Sequence, residues 1–203
     1  WMGLLEIAQP KEGETVVVTD MVDAWAADQV RLNQGDRNGT DWLPAECDVS
    51  IRPGWFHHSS QDGQVRSPEN LLDLYFKSVG RGASLLLNLP PDRRGRLHEN
   101  DVASLQGFRR RLDEIFGQNL ARGARLTASH TRGNSPGFGP ANLVDGKTDS
   151  YWSTDDGIVR AEVVLEFPAP ICFNVISLRE FLPLGQRVER FALDVDRNGQ
   201  WQE

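Results

Sequence analysis

The side chains best suited to chemistry are concentrated in one run, Asp41-Trp42-Leu43-Pro44-Ala45-Glu46-Cys47-Asp48-Val49-Ser50-Ile51-Arg52-Pro53-Gly54-Trp55-Phe56-His57-His58. Side chains alternate along a strand, so Glu46, Asp48 and Ser50 share one face there and Arg52 follows them. Two carboxylates, a hydroxyl and a guanidinium, followed by adjacent Trp55 and Phe56, suit a sugar. Polar groups bind its hydroxyls while aromatic faces stack on its C–H surfaces. Where parallel strands carry a catalytic site, the catalytic groups gather at the C-terminal strand ends. This reading therefore needs the run to form such a strand. The competing reading is a buried salt-bridge network around Arg52, with Trp55 in the core.

The flanking segments supply the elements that would hold this run. Residues 15–18 read as a short strand, 22–30 as a turn or two of helix, and 33–40 as turn chemistry throughout. Asn38-Gly39-Thr40 matches a glycosylation acceptor but reads first as a tight turn. Residues 42–51 are extended and Pro53-Gly54 breaks them. Ser67-Pro68-Glu69 is a helix start, with Ser67 as cap and Pro68 at the first helical position. Leu71, Leu72, Tyr75, Phe76 and Val79 then mark one helical face, which Gly80 and Gly82 end. Residues 84–89 read as a strand buried on both faces, closed by Pro90-Pro91-Asp92. Asn88, Asp92, Arg93 and Arg94 fall at the end of that strand and in the loop after it, where Arg93 or Arg94 would tie the loop down. A second helix spans about 100–116, with Val102, Leu105, Phe108, Leu112 and Ile115 inward. This strand–helix alternation is α/β logic with parallel strands. After Asn119 the pattern changes to short strands at 124–129, 159–167, 173–178 and 188–195 between Gly, Pro, Asn and Asp clusters, which reads as a β-sandwich. The boundary is placed at residues 117–120, giving domains 1–117 and 118–203.

Composition narrows the function. Among 203 residues, 22 Lys and Arg oppose 29 Asp and Glu, for a net charge of −7, which argues against a nucleic-acid binder held by phosphate neutralisation. The longest apolar runs, such as Leu85-Leu86-Leu87, fall far short of the roughly 20 residues a membrane span needs. Six Trp and nine Phe supply enough apolar surface for a packed core. Cys47 and Cys172 fall in different predicted domains, so no disulfide framework is expected. The four His have no zinc-site spacing, and Gly80-Arg81-Gly82 is no phosphate loop, because it follows a helix and lacks the third glycine. No signal peptide is visible in the chain.

The run Trp42-Leu43-Pro44-Ala45-Glu46-Cys47-Asp48-Val49-Ser50-Ile51-Arg52-Pro53-Gly54-Trp55-Phe56 resembles the signature of glycoside hydrolase family 29, the α-L-fucosidases, in the branch acting on α-1,3 and α-1,4 links. The resemblance continues through Ser67-Pro68-Glu69-Asn70-Leu71-Leu72-Asp73-Leu74-Tyr75, Ser78-Val79-Gly80-Arg81, Leu85-Leu86-Leu87-Asn88-Leu89-Pro90-Pro91-Asp92-Arg93-Arg94-Gly95 and His98-Glu99-Asn100-Asp101-Val102. It implies a retaining exo-glycosidase on a TIM-like barrel, in which an Asp attacks the anomeric carbon and a second carboxyl serves as acid, then base. No Asp nucleophile is assigned, since residues 1–40 do not resemble its surroundings. For the acid/base the resemblance offers Glu46, beside hydrophobic neighbours at a strand end, or Glu6, in Trp1-Met2-Gly3-Leu4-Leu5-Glu6, which is similar to a degraded Trp-x-Gly-Asn-Glu motif, or neither of the two. It assigns substrate contacts to Trp42, Asp48, Arg52, Trp55, Phe56 and His57. His57-His58 and Gly82-Ala83-Ser84 depart from the family pattern.

Asn119-Leu120-Ala121, Ala128-Ser129, Pro140-Ala141-Asn142-Leu143-Val144-Asp145-Gly146, Asp149-Ser150-Tyr151-Trp152-Ser153 and Leu184-Gly185-Gln186-Arg187-Val188 resemble a discoidin-like sandwich of the coagulation-factor 5/8 C type, incomplete at its C-terminus. That resemblance makes Asp145 and Asp149 candidates for a structural calcium, with a metal-free Asx turn as the alternative, and places Trp152 in the core. The expected architecture is a partial TIM-like barrel followed by an antiparallel sandwich. The expected function is release of terminal fucose from oligosaccharides or glycoconjugates, by two carboxyls that need no cofactor. A noncatalytic carbohydrate-binding fragment or an inactive family member is the alternative. The resemblance suggests a secreted, periplasmic or extracellular setting. A barrel needs about 250 residues, so residues 1–203 by themselves are expected to be inactive and to aggregate through unpaired parallel edge strands.

Overall fold

The structure, a computed structural model, describes residues 2–8, 45–185, 187–197 and 199–202. The elements expected at 15–18, 22–30 and 33–40, and the candidate Trp42, lie outside the described residues. The chain divides into two units, one of residues 9–118 and one of residues 1–8 with 119–203.

In the unit of residues 9–118, β2 (Glu46–Ser50) and β3 (Ser84–Asn88) pair in parallel, with Glu46 opposite Ser84 and Ser50 opposite Asn88. Ser84 N donating to Ala45 O and Ile51 N donating to Asn88 O extend the ladder at both ends. Between the strands, α1 (Pro68–Lys77) starts as the sequence predicts. Ser67 accepts from Asn70 N at 3.2 Å, and Pro68 occupies the first turn, where its missing N–H costs nothing. A 3-10 turn follows at Val79–Arg81, closed by Gly82 at φ +84°, a conformation glycine tolerates best. After β3, α2 (Glu99–Phe116) is capped by the His98 ring, which accepts from Asn100 N.

Two packing expectations are corrected here. β3 is not buried on both faces: Ser84 and Leu86 are exposed on one face, while Leu85 and Leu87 on the other are half-buried. On α2 the buried positions are Asp101, Ser104 and Gly107, while Val102, Leu105, Phe108, Leu112 and Ile115 are half-buried. The polar and small stripe faces the 52–68 segment: Asp101 meets Arg52, Ser104 donates to Arg66 O, and Gly107 lies against Pro68. The larger side chains flank it, with Tyr75 and Phe76 of α1 packed edge-on or tilted against Phe108 and Phe116.

In the other unit, β4 (Arg125–Ala128) pairs antiparallel with β5 (Val163–Glu166), and β7 (Val195–Arg197) with β8 (Gln200–Gln202). β1 (Met2–Ala8) pairs antiparallel with β6 (Val175–Glu180). Met2–Ala8, which the sequence reading grouped with 1–117, thus find their ladder partner in β6. The core gathers on Ala121, Leu143 and Trp152, with Leu126, Val163, Leu165, Phe173, Ile176 and Leu178 packed around it. Trp152 is core as expected, its indole N–H donating to His130 O at 2.9 Å. The strand expected at 188–195 does not form. Phe191 and Leu193 are exposed, with no partner strand among the described residues to cover them. Cys47 and Cys172 are free thiols in different units.

A methyl added at Gly107 would stand 2.5 Å from Pro68 Cγ and 3.1 Å from Pro68 Cβ. Gly107→Ala is therefore expected to destabilise the α1–α2 pair by about 1–3 kcal/mol, despite alanine's better helix propensity. A urea midpoint equal to or above the parent's would contradict this packing account.

Candidate active-site face

β2 and β3 run parallel, so their C-terminal ends, Ser50 and Asn88, lie side by side and the loops beyond them form one face. Asn88 Nδ2 donates to Ser50 Oγ at 3.1 Å and to Trp55 O at 2.9 Å, and Ser50 Oγ donates to Gly54 O at 2.7 Å. These bonds bend the chain after Ile51 and present Trp55 and Phe56 outward, 50% and 77% exposed. An exposed aromatic pair is the kind of surface that stacks on a sugar, while the buried Ser50 hydroxyl and the Asn88 amide N–H are spent on holding the loop.

Glu46 and Asp48 are both exposed and alternate with half-buried Cys47 and Val49, as the period-two reading requires. Glu46, however, opens β2 and does not close it. Four residue steps put it roughly 13 Å along the strand from Ser50, at the end away from Trp55. Asp48 is midway. Glu6 lies on β1, opposite Ser177 in the other unit.

Arg52 is corrected from sugar ligand to buried anchor. It is 1% exposed, and its Nε donates to both Asp101 oxygens at 3.1 Å. Its Nη1 donates to Asp62 at 2.9 Å and to His58 O at 3.4 Å. Burial pulls the guanidinium pKa down, but the hydrogen bonds to Asp101 and Asp62 and their charges outweigh it, and the value stands above the usual one. The buried salt-bridge alternative thus holds for Arg52, while Trp55 stays outside the core. His57 also turns inward, its Nε2 3.2 Å from Asp62 Oδ1.

Arg94, rather than Arg93, ties down the loop after β3. Its guanidinium reaches Asp92 at 2.6 Å and Glu99 at 2.9 Å, and its backbone N–H also donates to Asp92. The Arg94 hydrogen bond, with backbone N–H groups of Arg94 and Arg96, outweighs desolvation and holds the Asp92 carboxyl down at about 2. Sequence reasoning missed Asp62, Asp101 and His98. Asp101 carried one available signal, a carboxylate in the first turn of a helix whose next positions at the same spacing are Ser104 and Gly107.

In the other unit, Asp145 accepts from Lys147 N and Ser150 Oγ, both at 2.8 Å, and Gly146 sits at φ +78°. This is an Asx-type turn. Asp149 is exposed, and among the described residues no three His, Cys, Asp or Glu side chains gather as a metal cluster. No described helix is long and apolar enough to cross a membrane.

Comparison with known proteins adds to this geometry. The sequence model of the alpha-L-fucosidase family matches residues 3–113. Alpha-L-fucosidase 1 of Arabidopsis thaliana is 41% identical over 172 residues, which cover 83% of this chain and 34% of that protein. The chain therefore spans about a third of the length of that relative. The crystal structure of SpGH29 superposes with a TM-score of 0.81 at 38% identity, over 94% of this chain and 42% of that one. A Ruminococcus gnavus GH29 fucosidase, solved in complex with fucose, superposes with a TM-score of 0.63 at 32% identity, over 68% of this chain and 28% of the other.

Removing Asp101 would leave the Arg52 guanidinium buried with one carboxylate fewer. Asp101→Ala is expected to cost about 3–5 kcal/mol, the range for breaking a buried pair, measured by urea unfolding against the parent. For Asp92 the folded pKa lies below its unfolded value of about 3.9. Its contribution to loop stability is therefore present above that value and is lost as pH falls toward 2. Carboxyl NMR titration should find the Asp92 midpoint near 2 in the parent, and much closer to the ordinary value in Arg94→Ala.

Proposed function

Because the chain belongs to the alpha-L-fucosidase family, we propose that it forms part of a retaining exo-glycosidase that releases terminal L-fucose from α-1,3- or α-1,4-fucosylated oligosaccharides or glycoconjugates. The observation that carries this reading is the face at the C-terminal ends of β2 and β3, where exposed Trp55 and Phe56 stand beside Asn88 and Ser50 within the matched residues. The branch preference rests on the run from Trp42 to Phe56. We read residues 9–117 as barrel-derived and 118–203 as a discoidin-like sandwich, supported by the parallel β2–β3 pair in one and the antiparallel pairs and Asp145 turn in the other.

Trp55 and Phe56 would stack against the apolar face of the sugar or of the group next to it. Arg52 and His57 act behind them. Glycoside hydrolysis with retention needs two carboxyls about 5–5.5 Å apart, one attacking the anomeric carbon and one first protonating the leaving oxygen, then activating water. This chemistry calls for no cofactor. The acid/base is Glu46, Glu6 or neither of them, and the position of Glu46 at the start of β2 counts against it. A noncatalytic sugar-binding role is the alternative reading, favoured by the exposed aromatic pair alone.

The test is fucose release from an α-1,3/1,4-fucosylated trisaccharide by the protein carrying this chain. Trp55→Ala is expected to raise KM roughly tenfold, equivalent to about 1.4 kcal/mol. Glu46→Gln is expected to keep most of the turnover. Turnover lost on the trisaccharide but kept on a substrate with an activated leaving group, with fucosyl azide formed when azide is added, would instead make Glu46 the acid/base. Fucose binding without any turnover in the parent would support the noncatalytic reading.

A further inference from the structure

We propose that Asp62 is a positioning residue for the Trp55–Phe56 loop, acting through Arg52 and His57. The inference rests on the reading of that loop as the sugar-facing surface. An aromatic tip that is half to three-quarters exposed gains little from burial, so its orientation must come from polar ties behind it. Asn88 and Ser50 hold the loop from the strand side. On the helix side the ties converge on Asp62.

Asp62 lies in the 3-10 turn Ser59–Gln64, outside both β2 and α2. Its Oδ1 accepts from Arg52 Nη1 at 2.9 Å, which ties it to the loop before Trp55, and His57 Nε2 lies 3.2 Å from it on the other side without hydrogen-bond geometry. Its Oδ2 stands 3.4 Å from His98 Nε2, and its backbone carbonyl accepts from Asn100 Nδ2 at 2.7 Å, which binds it to the start of α2. His98 also stands 3.6 Å from Glu99, which Arg94 pairs. Asp101 differs, since its wholly buried carboxylate grips Arg52 Nε from beneath. Asp101 anchors the guanidinium, while Asp62 links the loop to the helix. The Arg52 hydrogen bond, aided by His98 and His57, offsets desolvation and holds the Asp62 carboxyl below its usual range, so the link stays charged near neutral pH.

The test compares Asp62→Asn, which keeps the shape and removes the charge, with Asp62→Glu in the protein carrying this chain. Asp62→Asn should raise KM for the fucosylated trisaccharide about fivefold with kcat within about twofold of the parent, the split expected when ground-state and transition-state binding weaken together. Trp55 emission, isolated by difference against Trp55→Phe, should become more accessible to iodide, and Asp62→Glu should restore part of both effects. Should Asp62→Asn fail to fold, His57→Gln reads the same link and should show a smaller rise in KM and in quenching. A lower melting temperature with unchanged KM and unchanged Trp55 quenching would overturn the proposal, leaving Asp62 a structural residue. A parent without turnover would sink the fucosidase reading instead, while iodide quenching would still decide the role of Asp62.

Discussion

The buried contact between Arg52 and Asp101 is the constraint that organises the α/β unit. A guanidinium taken out of water costs several kcal/mol unless carboxylates meet it, and here the two partners come from a loop and a helix 49 positions apart. The end of β2 and the first turn of α2 must therefore arrive together. Once they do, the rest of the helix stripe follows: Ser104 finds Arg66 and Gly107 finds Pro68. The pair also explains why an arginine beside an exposed aromatic loop does not itself reach the surface. Its role is to let a short strand end in a sharply bent, outward-facing aromatic loop.

Much of the local structure was readable from the residues. Ser67-Pro68 marked the start of α1, and the second helix was placed to within a residue, because capping chemistry and helical spacing act over a few positions. The face that α2 turns inward was not readable in the same way. Periodicity counts large apolar residues, whereas the closest approach on α2 uses a carboxylate, a hydroxyl and a glycine. The strand expected at 188–195 failed for a related reason, since alternation records a strand's preference and says nothing of whether a partner is there to pair with it. At the candidate site, the types of Trp55, Phe56 and Ser50 singled out a loop whose aromatic pair the structure leaves exposed. The extended pattern over 42–51 left the strand's start open, and in the structure β2 opens at Glu46 itself. Arg52's partners lay ten and 49 positions away, where no spacing rule reaches.

The sandwich-like unit shows the opposite balance. Its core is small and centred on one tryptophan whose ring N–H is satisfied by a backbone carbonyl. Its connections are tight turns with their own internal logic, such as the Asp145 carboxylate closing on Lys147 and Ser150. These turns were legible as punctuation because each is chemically self-contained. The pairing of β1 with β6 joins residues more than 160 positions apart, and nothing in the composition of either segment announced it.

The contact of Gly107 with Pro68 has a mechanical side. Gly107 lies six residues beyond Asp101 on a single rigid helix, about 9 Å along its axis. It therefore works as a fulcrum. Any bulk that lifts the helix there tilts the far arm, and on that arm sit the carboxylate that grips Arg52 and the His98–Asn100 cap that touches Asp62. The aim of an aromatic pair at the surface is thus calibrated by the absence of one methyl group on a helix that never reaches it.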